Sequence, residues 1–135
     1  MKLQRIEYSE LNARQKEIYN FQKLSAVLAD YGFNCIKLAD DWQGADFLAY
    51  HKDGGDTLKV QLKGRITIAR DYQGKDLWMA FPVDGAWHLI EHDALLKIID
   101  EKTRWLETKS WQQEGKYTAP RPGAELRAAL APSKL

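Results

Sequence analysis

Cysteine is almost absent from this chain of 135 residues, which contains a single one, Cys35. One cysteine cannot form an internal disulfide or a zinc site built from several thiolates, so both kinds of stabilised small fold are excluded. We interpret Cys35 as a buried structural thiol. The chain also lacks an apolar run of about 18 residues, which a membrane span needs, and its first residues lack the apolar stretch of a signal peptide. We therefore expect a cytoplasmic protein with no membrane partner.

A strong excess of one charge is also missing. Lys and Arg number 20 and Asp and Glu number 19, which gives a formal net charge of +1. The charges are unevenly distributed, since residues 102–135 carry seven Lys and Arg against three Glu, a net +4, leaving −3 for residues 1–101. A basic segment attached to an acidic remainder is compatible with phosphate contacts. Ordinary scatter of surface charge explains the counts equally well.

The hydrophobic pattern predicts one domain of mixed α/β (α+β) class. Apolar residues at spacings of three and four predict a helix over residues 11–31, with Asn12 or Ser9 as its N-cap. Asp53-Gly54-Gly55-Asp56 predicts a hairpin between the second and third strands. Residues 40–44 are predicted as a polar loop, and Asp93 as the N-cap of a second helix. Predicted strands cover residues 33–38, 46–50, 58–63, 66–68, 77–81 and 86–90.

Two neighbouring strands carry a candidate catalytic group. Asp46 opens the strand Ala45-Asp46-Phe47-Leu48-Ala49-Tyr50, and Gln61 and Lys63 lie on the next strand. Residues two apart on a strand share a face, so Gln61 and Lys63 project together, and Asp46 joins them if the strands are adjacent. An acid, an amide oxygen and an ammonium at one point suit a divalent cation and an attacking water. Solvated polar residues at alternate strand positions are the competing interpretation.

With Asp46 followed by Gln61-Leu62-Lys63, the chain resembles the PD-(D/E)XK nuclease superfamily, which includes type II restriction enzymes and Holliday-junction resolvases. It is similar to the variant with glutamine in place of the second acid, as in an intron-encoded homing endonuclease of that superfamily. Two departures stand out: Ala45 replaces a proline that does no chemistry, and Gln61 replaces an acid, which removes one negative charge.

The resemblance covers about residues 12–100. It implies a restriction endonuclease-like core of order αβββαβ over residues 1–101. Residues 102–135 then form a basic, Trp-containing C-terminal extension with a tail helix, packed on the core or on a partner subunit. The resemblance also implies a homo-oligomer, a dimer or tetramer, because one site cuts one strand.

The function implied by the resemblance is metal-dependent hydrolysis of DNA phosphodiester bonds with Mg²⁺ or Mn²⁺. Asp46, Gln61 and the backbone carbonyl of Leu62 would hold the metal, and Lys63 would act on the attacking water. Glu17 on the first helix is a further candidate, because several families of the superfamily place a glutamate on that helix. A solvent-facing glutamate on a charged helix face is the alternative for Glu17.

Four further residues are candidates for contacts to DNA. Arg65 shares the face of Lys63 and is predicted to bind phosphate, with a salt bridge at the rim as the alternative. Gln43 lies in the loop before Asp46, where a phosphate could approach the backbone. Arg70 and Lys75 lie in the polar stretch after residue 68, for which a solvated loop is the alternative.

Two tryptophans and two histidines have other possible roles. Trp105 and Trp111 in the basic segment could stack on unpaired bases, or pack the segment onto the domain or onto another subunit. His88 and His92 are four apart, and on a strand that spacing would separate them by about 13 Å, too far to share a zinc ion.

The leading alternative function is a catalytically degenerate nuclease-fold protein that binds nucleic acid or a protein partner without cutting. The near-neutral charge and Gln61 favour it. In a purely structural protein, by contrast, all of these polar residues would be ordinary surface.

Overall fold

The computed structural model of the protein describes residues 1–119 and 121–135. Among those residues, no helix is long and apolar enough to cross a membrane. The helices are α1 (Ala13–Ala29), α2 (His92–Lys102) and α3 (Ala124–Leu130), and the strands are β1 (Phe33–Trp42), β2 (Ala45–His51), β3 (Thr57–Leu62), β4 (Ile66–Ala69), β5 (Leu77–Val83), β6 (Ala86–Glu91) and β7 (Lys116–Ala119). Short 3₁₀ turns lie at Tyr8–Glu10, Arg70–Tyr72, Trp105–Glu107 and Ala131–Ser133, and a π-helical turn at Ser110–Glu114.

The centre of the fold is a five-stranded sheet of order β1-β2-β3-β5-β6. The β3–β5 pair is parallel and the other pairs are antiparallel. β4 and β7 form a separate antiparallel pair. The predicted hairpin between β2 and β3 and the mixed α/β fold class are both confirmed.

Helices cover both faces of the sheet, which gives three layers. Successive residues of β5 point to opposite faces of the sheet, since Met79 packs in one core and Ala80 in the other. The α1 side contains Leu24, Leu28, Phe47, Ala49, Val60 and Ala80. The opposite side contains Ile66, Ile68, Leu77, Met79, Phe81, Leu95, Ile99, Trp111, Leu126 and Leu130.

Helix α1 begins and ends on local signals. Asn12 accepts a hydrogen bond from the Gln15 N–H at 2.8 Å, and the Gln15 side chain accepts one from the Asn12 N–H at 2.9 Å. This reciprocal cap confirms Asn12 as the start. Gly32 follows the helix with φ +86°, a conformation that favours glycine. Only Leu24 and Leu28 of α1 are fully buried, so the first half of the helix remains free to border a site.

Two local predictions are wrong. Residues 40–42 are strand rather than loop, because β1 continues to Trp42 and the chain reverses in a two-residue turn at Gln43 (φ +53°) and Gly44 (φ +86°). β1 lies at the edge of the sheet, where exposed polar residues are tolerated. Asp93 does not cap α2, because that helix begins at His92 and Glu91 occupies the cap position.

The connection from β3 to its parallel neighbour β5 differs from the αβββαβ order, which places a helix there. Residues 63–76 instead contain β4 and a 3₁₀ turn. The β-branched run Ile66-Thr67-Ile68 favours a strand, and these residues are buried against β7 and the second core.

The tryptophans of the C-terminal segment pack within the fold. Trp111 is 7 % exposed and belongs to the same core as Leu95 and Ile99. The Arg70 guanidinium lies 5.3 Å from the Trp111 ring centroid. The packing interpretation is therefore confirmed for Trp111, and stacking on bases is excluded for that residue.

His92 and Asp93 link the start of α2 to the segment between β4 and β5. The His92 ring is 1 % exposed, and its Nε2 accepts a hydrogen bond from the Ala69 N–H at 3.2 Å. Its Nδ1 lies 3.1 Å from Asp93 Oδ1, while Asp93 Oδ2 accepts from the Gly74 N–H at 3.0 Å. Burial lowers the pKa of His92, and burial also lowers the pKa of His88.

We expect this burial to make the fold sensitive to mild acid. A histidine with a lowered pKa in the folded state binds a proton more readily when unfolded, so stability is lost as the pH falls below about 6.5. The Tm should be lower at pH 5 than at pH 7.5 by differential scanning fluorimetry. In His92→Gln the Tm should depend less on pH over this range. Asp53 and Asp93 have lowered pKa values, so they affect stability only near pH 4 and below. An equal Tm at pH 7.5 and pH 5 in the native protein would contradict this.

Candidate functional site

Asp46 lies where β2 separates from both neighbouring strands. On the β1 side, Lys37 pairs with Phe47 and the next pair is Trp42 with Ala45, so residues 38–41 bulge opposite Asp46. On the β3 side, the last paired residues are Phe47 and Val60. A β-bulge or the end of a ladder opens space beside a strand, and here both occur at one residue.

The Asp46 side chain binds the β3 backbone just beyond the last β2–β3 pair. Its Oδ2 accepts a hydrogen bond from the Leu62 N–H at 2.9 Å, which ties the carboxylate to the end of β3. The Lys63 N–H donates to the Ala80 carbonyl at 2.9 Å, so the chain beyond Leu62 stays fixed to β5. The carboxylate and the Lys63 backbone are therefore held by main-chain hydrogen bonds.

A pocket of about 260 Å³ opens at this separation. It collects the five residues predicted for catalysis or metal binding, which are Glu17, Asp46, Gln61, Leu62 and Lys63. Three residues not assigned to the site from the sequence, Asn20, Lys37 and Gly64, complete the lining.

Gln61 carries an unusual oxygen. The residue is 8 % exposed, and its Oε1 is buried without a hydrogen-bond partner among the described residues. Leaving a buried acceptor unpaired costs about 1–3 kcal/mol. Such an atom, beside a carboxylate in an open pocket, is suited to receive a cation or a donor from a ligand.

The electrostatics of Asp46 favour a positive partner. Burial raises the pKa of Asp46, and the hydrogen bond from Leu62 together with the charges of Lys37 and Lys63 opposes that rise. Asp41 adds a further unfavourable negative charge that raises the pKa. A bound cation would relieve the cost of the ionised carboxylate.

Helix α1 supplies Glu17 and Asn20 from above the pocket. The Phe21 ring packs edge-on against Phe47, with ring centroids 5.1 Å apart. Glu17 and Asn20 precede Phe21 by four and one positions, and residues four apart lie on the same helix face. The Phe21–Phe47 contact, next to Asp46 in sequence, therefore places Glu17 at the rim of the pocket, where it is exposed.

Lys37 is the functional candidate that sequence reasoning missed. Phe33 and Cys35 pack towards the α1 core, and Lys37 continues their alternation on β1. Its Nζ lies 5.2 Å from the Phe21 ring centroid. A charged residue that continues an apolar strand face was the available signal.

The four residues predicted to contact DNA lie outside the pocket lining. Arg65 is exposed just beyond Gly64. Gln43 and Lys75 border a separate depression with Lys59, whose Nζ donates to Gln43 Oε1 at 3.2 Å. Arg70 donates to the Gln112 carbonyl at 3.3 Å and packs on the C-terminal segment.

The donor set of the pocket consists of oxygen atoms. Over residues 1–119 and 121–135, no group of three or more His, Cys, Asp and Glu is placed to hold a metal ion. Side-chain oxygens in the lining belong to Asp46, Glu17, Gln61 and Asn20, and the Leu62 backbone adds a carbonyl. Oxygen ligands suit Mg²⁺, which also retains waters, and the unpartnered Gln61 oxygen fits such an ion.

No protein-family model matches the chain, and a search of curated proteins finds no match. Solved structures that resemble it include the Holliday junction resolvase Hjc of Archaeoglobus fulgidus, with 16 % sequence identity and a TM-score of 0.46, over 58 % of this chain and 74 % of the resolvase. They also include a bacterial homing endonuclease, with 14 % identity and a TM-score of 0.48, over 83 % of this chain and 78 % of the endonuclease.

We expect Asp46→Ala to destabilise the fold and Asp46→Asn not to. Asparagine keeps an acceptor for the Leu62 N–H and removes a partly buried charge whose pKa is raised. The ionised carboxylate destabilises the fold above its pKa, so Asp46→Asn should match or exceed the native Tm at pH 8, and the difference should vanish in acid. Asp46→Ala leaves the N–H unpaired and should lower the Tm by about 3–10 °C. Equal losses in both variants would show that the charge, and not the acceptor, stabilises the strand end.

Proposed function

We propose that this protein is a metal-dependent endonuclease that hydrolyses DNA phosphodiester bonds. The observation that carries the proposal is the buried Gln61 Oε1, which has no partner over residues 1–119 and 121–135, in the pocket that also holds Asp46 and Lys63. The order Asp46, Gln61, Lys63 supports it through its resemblance to the PD-(D/E)XK nucleases. Mg²⁺ is the expected cofactor, with Mn²⁺ as a substitute.

Asp46, the Gln61 amide oxygen and the Leu62 carbonyl would hold the metal, with Glu17 at the rim. The metal would supply Lewis-acid polarisation of the phosphoryl group and neutralise part of its charge. Asp46 is oriented for this role by the Leu62 N–H. With one carboxylate deep in the pocket, affinity for metal should be weak until substrate phosphate adds charge.

Two lysines of the pocket act on the substrate. Lys63 positions or deprotonates the attacking water, or stabilises the charge that develops at phosphorus. Lys37, on the β1 side of Asp46, provides a second ammonium to hold a phosphate oxygen. Both charges also favour the ionised form of Asp46.

DNA backbone would run past the pocket along Gly64 and Arg65. A side chain built on Gly64 would meet no atom within 4 Å, so a sugar–phosphate chain has room there. Arg65 is exposed next to it and would bind a flanking phosphate. Gln43 and Lys75, in their own depression, and Arg70 would contact more distant backbone, and a homo-oligomer would supply a second site for the other strand.

A second candidate is a degenerate nuclease-fold protein that binds nucleic acid or a protein partner without cutting. Gln61 in place of an acid favours it, because the pocket then has a single partly buried carboxylate, Asp46. In that case the Asp46 charge repels phosphate, and removing it should strengthen binding.

Cleavage assays separate the two candidates. With Mg²⁺ or Mn²⁺, we expect cleavage of at least one member of a panel of supercoiled, linear, branched and single-stranded DNA. Asp46→Asn and Lys63→Ala should lower the rate by at least about 100-fold, since each removes a group used in the transition state. Lys52→Ala, a change at an exposed lysine of the β2–β3 turn, is the matched control and should cleave normally.

Absence of cleavage with both metals, together with tighter DNA binding by Asp46→Asn, would reject the nuclease proposal in favour of the degenerate binding protein. Circular dichroism on each variant separates these results from unfolding.

Gln61→Glu tests the metal-binding role directly. Glutamate restores the second acid, so the Mg²⁺ concentration for half-maximal cleavage should fall by about tenfold or more. Without metal, two carboxylates close together should repel and lower the Tm, and Mg²⁺ should reverse that loss. A Mg²⁺ requirement identical to the native protein's would remove Gln61 from the ligand set.

A further inference from the structure

A further depression, distinct from the one bordered by Gln43 and Lys75, adjoins the catalytic pocket and is rich in aromatic side chains. It has a volume of about 310 Å³ and is lined by Tyr8, Tyr19 and Trp87, which we call the aromatic cleft. Asn20 and Gly64 line both the aromatic cleft and the catalytic pocket. Its volume lies at the lower end of the range of about 300–1,000 Å³ found for small-ligand clefts.

The aromatic residues that line the cleft come from three elements, and contacts join two of them, the N-terminal 3₁₀ turn and α1. The Tyr8 and Tyr19 ring centroids are 5.4 Å apart and the rings are tilted by 59°. Asn20 Nδ2 donates to the Tyr8 hydroxyl at 3.0 Å, which fixes the N-terminal 3₁₀ turn to α1. Trp87 enters from β6 and is half-buried. Tyr8 remains 41 % exposed, so aromatic surface is open to a ligand.

Positive charge accompanies the tyrosines. The Lys16 Nζ lies 5.2 Å from the Tyr8 ring centroid, and the Lys23 Nζ lies 5.3 Å from that of Tyr19. An aromatic surface with adjacent ammonium groups suits a ligand that has both a π-face and negative charge. A nucleotide has both, with its base and its phosphate.

We propose that the aromatic cleft receives an unstacked nucleobase next to the phosphodiester bound in the catalytic pocket. The inference rests on the proposed nuclease function and specifies its substrate class. Bases inside a continuous duplex are paired and stacked, so their faces are closed to Tyr8 and Trp87. The preferred substrates therefore contain an unpaired nucleotide at the cut site, as in single strands, flaps or frayed ends.

Fluorescence of 2-aminopurine tests the cleft independently of cleavage. The Asp46→Asn protein, without added metal, is titrated into a single-stranded oligonucleotide with one 2-aminopurine and into the matching continuous duplex. We expect binding of the single strand with a change in 2-aminopurine emission. Tyr8→Ser, in the same background, should weaken single-strand binding about tenfold and leave duplex binding unchanged.

Two control variants define the role of the ring. Tyr8→Phe retains the aromatic face and should bind the single strand nearly as well as the parent. Tyr31→Ser removes a tyrosine that is 51 % exposed at the far end of α1 and should have no effect. Equal weakening of duplex and single strand by Tyr8→Ser, or no weakening of either, would overturn the proposal.

Failure of the cleft and failure of the nuclease give different results. If the native protein cleaves DNA but shows no emission change, and Tyr8→Ser binds normally, the cleft does not bind a base and the nuclease proposal is unaffected. If the expected emission change and binding loss occur but the native protein cleaves no DNA, base binding by the cleft is supported and the nuclease proposal is overturned.

Discussion

The hydrogen bond from the Leu62 N–H to the Asp46 carboxylate organises the site. It forms where β2 has lost its pairing with both β1 and β3, so a side chain satisfies a backbone donor that a ladder would otherwise satisfy. The same bond aims the carboxylate into the pocket. Gln61, one residue before Leu62, is brought beside it, because the strand end and the carboxylate are fixed to each other.

The site concentrates unfavourable interactions in one place. Asp46 is partly buried with a raised pKa, and the buried Gln61 oxygen has no partner in the part of the chain that the structure describes. Lys37 and Lys63 reduce the cost of the Asp46 charge, and the main-chain bond of Lys63 to Ala80 keeps the strand end in place. Local cost of this kind persists because the two packed cores on either side of the sheet stabilise it.

Local signals were sufficient to predict much of the fold. The α1 cap at Asn12 and the Gly54-Gly55 hairpin depend on neighbouring residues, and the meeting of Asp46 with Gln61 follows from that hairpin. The bulge in β1 and the position of Lys37 depend on how strands pair across the sheet, which periodicity does not reveal. Tyr8, Tyr19 and Trp87 come from distant parts of the chain, so their cleft required the tertiary structure.

The β4–β7 pair joins residues about fifty positions apart along the chain, since Ile66 pairs with Ala119. β4 lies three residues beyond Lys63, so the segment leaving the pocket is clamped by a strand that arrives late in the sequence. Closing such a long loop is entropically slow compared with forming the β2–β3 hairpin. The central sheet can thus assemble while the segment that follows β3 is still unpaired. Loosening of β7 alone would therefore release the segment that leaves the pocket while the central sheet remains paired, which makes the position of Lys63 depend on residues far along the chain.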